Sequence, residues 1–237
     1  MSMSARVNRL VQFLRSARFA AVSGWLRSHF LGRRSVSFTA VAENSHEQDR
    51  LLDMVADHCL EHGVADLTLR SVGKSVGSNN RMLLYYFGSK EQMISAALVR
   101  ASLRFPELQR SFQLLDNIDQ PLDRRLHATW KAISAEANMP FIRLFFEVFG
   151  LAAHQPGRFD EFLGGVGQVW SDNLSAVLRR EGMSSADARN TGRHVVAIWR
   201  GLQLDLLSSP DRRPIDRAHL AAAQRIAADV ELNCPSR

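Results

Sequence analysis

Downstream of Ser45 the apolar residues recur every three or four positions, and the breaks between stripes fall on glycine, proline or serine. Leu51, Leu52, Val55, Ala56, Cys59 and Leu60 share one face of a helix that Gly63 ends. Thr68 stands where it would cap a second helix, with Leu69, Val72 and Val76 inward, and Gly77 breaks that helix early. A third helix starts at Ser78 or Asn79, both good N-caps, and carries Met82, Leu83 and Phe87 inward as far as Gly88. Ser89-Lys90-Glu91-Gln92 has the form of a capping box, so a fourth helix starts there, with Met93, Ile94, Ala97 and Leu98 on its apolar face. Leu126, Trp130 and Ile133 mark a helix over about 122–137. Pro140 opens FIRLFFEVFGLAA, which is apolar nearly all round and therefore buried. Two long stripes follow, Phe162 to Leu178 and Val195 to Leu206, and a last helix carries Leu220, Ala223, Ala227 and Val230. No segment alternates with the period of two that marks a half-buried strand. The pattern predicts an all-α chain.

Charge sharpens this picture. The net charge is +6, and its placement is uneven. Residues 67–90 contain no acid and carry Arg70, Lys74, Arg81 and Lys90. The helix before them is acidic, with Glu47, Asp49, Asp53, Asp57, Glu61 and Asp66. An anionic partner is therefore expected at 67–90. Residues 1–45 are a second basic stretch, expected to be flexible, with Arg6, Arg9, Arg15, Arg18, Arg27, Arg33 and Arg34 and no acid before Glu43. Four readings fit it: an arm adding phosphate contacts, a transit-peptide-like leader, a helix lying on a membrane surface, or an upstream extension without a role of its own. At 237 residues and 46% hydrophobic composition the chain can bury a substantial core. It has no apolar run long enough to span a membrane. Cys59 and Cys234 match no metal or redox spacing, which fits reduced thiols in the cytoplasm.

Three short helices, with a tight glycine turn between the second and third, are the parts of a helix-turn-helix. Gly73, inside the short second helix, costs about 1 kcal/mol against alanine. Close approach of the third helix would explain its presence. In this geometry the N-terminal end of the third helix enters a major groove, so Asn79, Asn80 and Arg81 meet base edges or phosphates. Tyr85 and Tyr86 reach phosphates from the far end of that helix, and Lys90 stands beside the N-terminus of the next.

Residues 47–100 resemble the DNA-binding domain of the TetR (tetracycline-repressor) family of transcriptional regulators. The resemblance runs through LLDMVADHCLEHG, TLRSVGKSVG and MLLYYFGSKEQM. Family members usually carry alanine where Gly73 and Val76 stand, and tyrosine where Leu84 stands; Tyr85 or Tyr86 is expected to replace that contact. The resemblance assigns DNA contact to Thr68, Arg70, Ser78, Asn79, Asn80, Arg81, Tyr85, Tyr86 and Lys90, and gives Phe87 to the small core. It implies a DNA-binding domain at 46–100 and a larger helical domain at 101–237 that binds a small effector and dimerises. The dimer would form a four-helix bundle from the helices at about 159–178 and 188–207. The implied protein is a cytoplasmic homodimeric repressor that leaves its double-stranded DNA operator when an effector binds. It needs no cofactor or metal and is not an enzyme.

Other signals compete weakly. Phe105, Phe112, Trp130, Phe141, Phe145, Phe149, Trp170 and Trp199 are candidates to line the effector cavity, and with few charges among them they point to an apolar or amphipathic molecule. His58-Cys59-Leu60-Glu61-His62 has the spacing of an inverted zinc-protease motif, but Gly63 ends the helix at once and no third ligand is evident. Gly164-Gly165-Val166-Gly167 lacks the strand a phosphate loop needs, and close helix packing is the expected use. Two alternative readings stand beside the repressor: a ligand-independent DNA-binding regulator, and a helical lipid-binding protein associated with membranes through residues 1–45.

Overall fold

The computed structural model describes residues 38–155 and 157–233. Among them it forms ten α-helices and a short 3-10 turn, with no strand. The expectations placed on residues 1–37 lie outside the described residues. Contacts divide the chain into two units, Met1–Leu52 and Asp53–Arg237. Of the first unit, only 38–52 is described, and it is the start of helix α1 (Phe38–His62). That helix begins upstream of the boundary expected at 46.

The second unit carries the rest of α1 and then α2 (Leu69–Ser75), α3 (Asn80–Phe87) and α4 (Lys90–Ser102). These are the short helices that the glycine punctuation predicts. Gly63, Gly77 and Gly88 all sit at positive φ, at 74°, 65° and 79°, where a side chain would strain the backbone. Helix α5 (Pro106–Asp116) was not anticipated. Its inner face includes a serine: Ser111 is fully buried and its hydroxyl donates to the Leu108 carbonyl at 2.5 Å. A polar residue in the inner phase hides the stripe.

Helix α6 (Leu122–Ile133) stops short of the expected 137. The buried Asn138 side chain donates to the Ala132 and Ile133 carbonyls at 2.7 and 3.4 Å and so satisfies the end of the helix. Helix α7 (Met139–His154) has Pro140 in its first turn, and α8 (Asp160–Arg180), α9 (Ser185–Ser208) and α10 (Arg213–Asn233) follow the long stripes. Leu126, Trp130, Leu174, Leu178, Val195, Trp199 and Ala223 belong to one core drawn from α6, α8, α9 and α10. Helices α8 and α9 approach closely, since a Cβ on Gly192 would stand 3.1 Å from Ser175 Oγ and 3.2 Å from the Ser171 carbonyl. No described helix is long and apolar enough to cross a membrane.

Candidate nucleic-acid interface

The interface is assembled from backbone upward. Thr68 Oγ1 accepts from the Ser71 N–H at 3.0 Å, and Ser71 Oγ accepts from the Thr68 N–H at 3.1 Å. This reciprocal box starts α2. The Ser78 N–H then donates to the Gly73 carbonyl at 2.8 Å, pulling the turn back across α2. A Cβ on Gly73 would lie 3.1 Å from the Ser78 carbonyl and 3.4 Å from Asn79 Cα. The close approach inferred from the sequence is therefore real. Asn79 caps α3, its Oδ1 accepting from the Met82 N–H at 3.0 Å. Ser89 caps α4 through Gln92, at 3.1 Å, but the expected capping box is only half made. The Ser89 N–H donates instead to the Phe87 carbonyl at 3.0 Å.

Helix α3 divides cleanly. Leu83, Tyr86 and Phe87 are buried, and Asn80, Arg81, Leu84 and Tyr85 face outward. Spacings of three and four put each set on its own side of the helix. Two details differ from the sequence reading. Met82, expected inward, is 37% exposed, and Tyr86 takes the inner place at 8%. The Tyr85 ring is 59% exposed and meets Tyr86 edge-on at 5.1 Å. Thr68 and Arg70 are also exposed, and Ser78 is half-buried. Lys90 is half-buried and its ammonium donates to the Leu67 carbonyl, so it braces the start of α2. Met82, Leu84 and Tyr85 make up half of the six large hydrophobics exposed among the described residues, all on one eight-residue helix. That concentration is the mark of a contact surface.

The zinc-motif histidines do not converge on a metal. Their rings stack at 4.5 Å, His58 Nδ1 meets Ser75 Oγ at 3.1 Å, and His62 Nδ1 meets the His58 carbonyl at 3.2 Å. Among the described residues no three His, Cys, Asp or Glu side chains form a metal-binding group. Cys59 is fully buried, and desolvation followed by the nearby Glu147 charge pushes its thiol up to about 12.

No family model and no curated protein matches the sequence. Solved structures do match. A Rhodococcus protein assigned to the TetR family of transcriptional regulators aligns with a TM-score of 0.62 at 15% identity, over 77% of this chain and 99% of its own. A TetR transcriptional regulator from Legionella pneumophila aligns at 0.51 and 13%, over 85% and 100%. BioQ, solved with its natural double-stranded DNA operator, aligns at 0.52 and 19%, over 76% and 98%. The chain has the TetR fold.

In this TetR-fold chain the eight candidate pocket aromatics sort into two groups rather than around one space. Phe105, Phe141, Phe145 and Phe149 form a run with centroid separations of 5.7, 6.2 and 5.0 Å. Phe112 stacks on Trp170 at 4.2 Å, and Trp170 meets Trp199 edge-on at 5.4 Å. Trp130 joins that second group through His219, stacked at 5.0 Å. Trp130 and Trp199 are core residues with committed N–H groups, which donate to Asp216 Oδ1 at 2.9 Å and His219 Nε2 at 2.8 Å. Because the Trp199 N–H only donates, His219 carries its proton on Nδ1, which points at His127 Nδ1 at 3.3 Å. Burial, then the His127 charge, holds His219 down to about 3.

A cleft of about 350 Å³ lies elsewhere, lined by Ile118, Asp119, Leu122, Arg125 and Glu231 among others. Arg125 is 3% exposed and ion-paired with Glu181, while its Nε and Nη1 have no partner. Inward charges of this kind were not expected from the apolar stripes. Arg125 and Arg200 both occupy the inner phase of their helices, next to Leu126 and Trp199, and that phase was the available signal.

Proposed function

We propose that this chain is a cytoplasmic, homodimeric transcriptional regulator that binds double-stranded DNA through 46–100 and an effector through 101–237. In this reading Asn80 and Arg81 meet base edges in the major groove. Leu84 and Met82 lie against thymine methyl groups, and Tyr85 grips a flanking phosphate. Thr68, Arg70, Ser78 and Lys90 line the same surface. Tyr86 packs inside and supports α3, while Asn79 sets its start. The observation that carries the reading is the outward face of α3: polar, cationic and apolar groups together on a braced helix, in an acid-free stretch. A two-fold dimer would present two such helices to half-sites one DNA turn apart.

The protein acts as a repressor, released by an apolar or amphipathic molecule. Two contacts support a route between effector and reading helix. The Glu147 carboxylate on α7 accepts from the Val64 and Ala65 N–H groups at 3.0 and 2.7 Å, in the turn before α2. Arg158, after α7, pairs with Glu91 in the first turn of α4 at 3.0 Å. Fluorescence anisotropy with the DNA upstream of the coding sequence tests the reading. Saturable, salt-sensitive binding that beats scrambled DNA by at least tenfold is expected. Equal affinity for both DNAs refutes it.

A further inference from the structure

Helix α9 carries an arginine, Arg200, that has no opposite charge beside it among the described residues. The Arg200 guanidinium lies over the Phe149 ring, 5.3 Å from its centroid. Its Nη2 is buried and has no hydrogen-bond partner. Burial lowers its pKa, and among the described residues no carboxylate acts on it. Arginine does not shed its proton in proteins, so the charge stays. Arg200 as a whole is half-buried, so the unmet donor is the sheltered Nη2 edge, and the Phe149 ring beside it offers no hydrogen-bond acceptor.

The glycine run of α8 belongs to the same place. A Cβ on Gly167 would stand 3.0 Å from Nη2 and 3.8 Å from Nη1. Gly167 thus leaves room for the guanidinium, which is a more specific use than close helix packing. The ring takes none of the guanidinium N–H groups as an acceptor would, so Nη2 remains a donor for a carboxylate, the group that a guanidinium can bind in two places. Beside them is a wall of rings. Phe149 meets Phe145 edge-on at 5.0 Å, and Phe145 meets Phe162 of α8 at 6.3 Å.

We propose that Arg200 receives the carboxylate of an organic acid whose aromatic or acyl body lies along Phe149 and Phe145. The proposal rests on the effector-binding reading above and narrows it from an amphipathic molecule to an anionic one. Gly167 is the positioning residue that keeps the guanidinium in place.

The test is calorimetric titration of the full-length protein with decanoate and 4-phenylbutyrate, each beside its neutral alcohol, 1-decanol and 4-phenylbutanol. At least one acid is expected to bind tenfold or more tightly than its alcohol. Arg200→Met should abolish that preference while leaving alcohol binding unchanged, and Arg200→Lys should retain part of it. Gly167→Ala, which displaces the guanidinium, should weaken the acid and spare the alcohol. The melting temperature of Arg200→Met is expected to be no lower than wild type, since a sheltered, unpaired donor is removed; a purely structural arginine would lower it. Acid and alcohol binding equally, neither acid binding, or an unchanged preference in Arg200→Met would each overturn the proposal. A changed sedimentation coefficient in Arg200→Met with unchanged acid binding would also overturn it, assigning the guanidinium to assembly. DNA anisotropy in the same samples separates the two readings: Arg200-dependent acid binding with no effect on DNA affinity upholds this site and refutes effector-controlled release.

Discussion

Glu147 gives a single side chain leverage over the proposed DNA-facing surface. It lies on α7, yet both its oxygens accept from backbone N–H groups of the turn between α1 and α2, at 3.0 and 2.7 Å. Hydrogen bonds to a charged group contribute roughly 1.5–3 kcal/mol each when sheltered. The Val64 bond is partly buried and the Ala65 bond exposed, so water replaces much of the second. Glu147→Ala is therefore expected to destabilise by about 2–3 kcal/mol, or a melting temperature lower by about 5–10 °C for a chain this long. Glu147→Gln keeps one acceptor and turns an amide N–H toward the other donor, so it should lose at least half as much. A double-mutant cycle makes the assignment specific. Gly63 has φ of 74°, and a Cβ there would stand 2.7 Å from the Glu147 carboxylate. Gly63→Ala should thus cost distinctly less in the Glu147→Ala background than in wild type. Thermal unfolding followed by circular dichroism gives the energies, and hydrogen exchange at the Val64 and Ala65 amides gives the location. A Glu147→Ala melting temperature within about 2 °C of wild type, with unchanged exchange at those amides, would refute the reasoning.

Further outcomes follow from the same geometry. Arg81→Ala should relax preference at one base pair by about 1–3 kcal/mol, whereas Lys90→Ala should weaken all DNA alike and reduce the salt slope by about 1; anisotropy with single-base variants at several salt concentrations distinguishes them. His219 is held down to about 3 by burial, and His127 is also lowered by burial. An unfolded histidine titrates near 6.5, so the unfolded chain takes up the proton first and stability falls as pH drops below that value. Between about pH 6.5 and 4.5 the loss from His219 is roughly 2–3 kcal/mol. Asp216 does not contribute there: burial opposes its ionisation, but hydrogen bonds from Trp130, Lys131 and Arg212 outweigh that and bring it to about 2. His219→Gln keeps an acceptor for Trp199 and should flatten denaturant midpoints across that range; an equally steep decline would count against the assignment.

The helix plan was legible because glycine and capping residues mark backbone conformations locally. Gly63, Gly77 and Gly88 need positive φ, and Thr68, Asn79 and Ser89 cap the helices that follow. The inner face of α3 was less legible. Met82 and Tyr86 are both large side chains with apolar surface to bury, and an eight-residue helix holds too few turns for periodicity to choose between them. Packing chose Tyr86, whose ring lies against Tyr85 and Phe87. Helix α5 was hidden by Ser111, and the inward arginines were hidden by their charge. The aromatics were visible as residues, but which of them become hydrogen-bonded core depended on His219 and Asp216, more than 80 residues from Trp130 in the chain. The unpartnered guanidinium at Arg200 needs coordinates for the same reason: it is defined by what lies beside it.

The placement of Phe149 and Glu147 on one helix bears on how strongly an effector could act. Phe149 lies under Arg200, and two residues earlier Glu147 holds the turn before α2. In the proposed site an acid bound to the guanidinium would press its body on Phe149 and change the packing of α7 on the α9 side, and Glu147 would pass that change on as a weaker or misplaced grip. The size of that grip limits the effect. In the proposed dimer two such grips amount to about 4–6 kcal/mol, comparable with the roughly 5.5 kcal/mol that carries an equilibrium from 1:99 to 99:1. Glu147→Gln should therefore leave effector-free DNA binding within a few-fold of wild type while shrinking the effector-induced drop in affinity at least tenfold. Arg200→Met should remove the response from the other end. If Glu147→Gln lost DNA binding outright, or kept the full effector response, the coupling would run elsewhere, and the Arg158–Glu91 pair at the start of α4 would be the next contact to break.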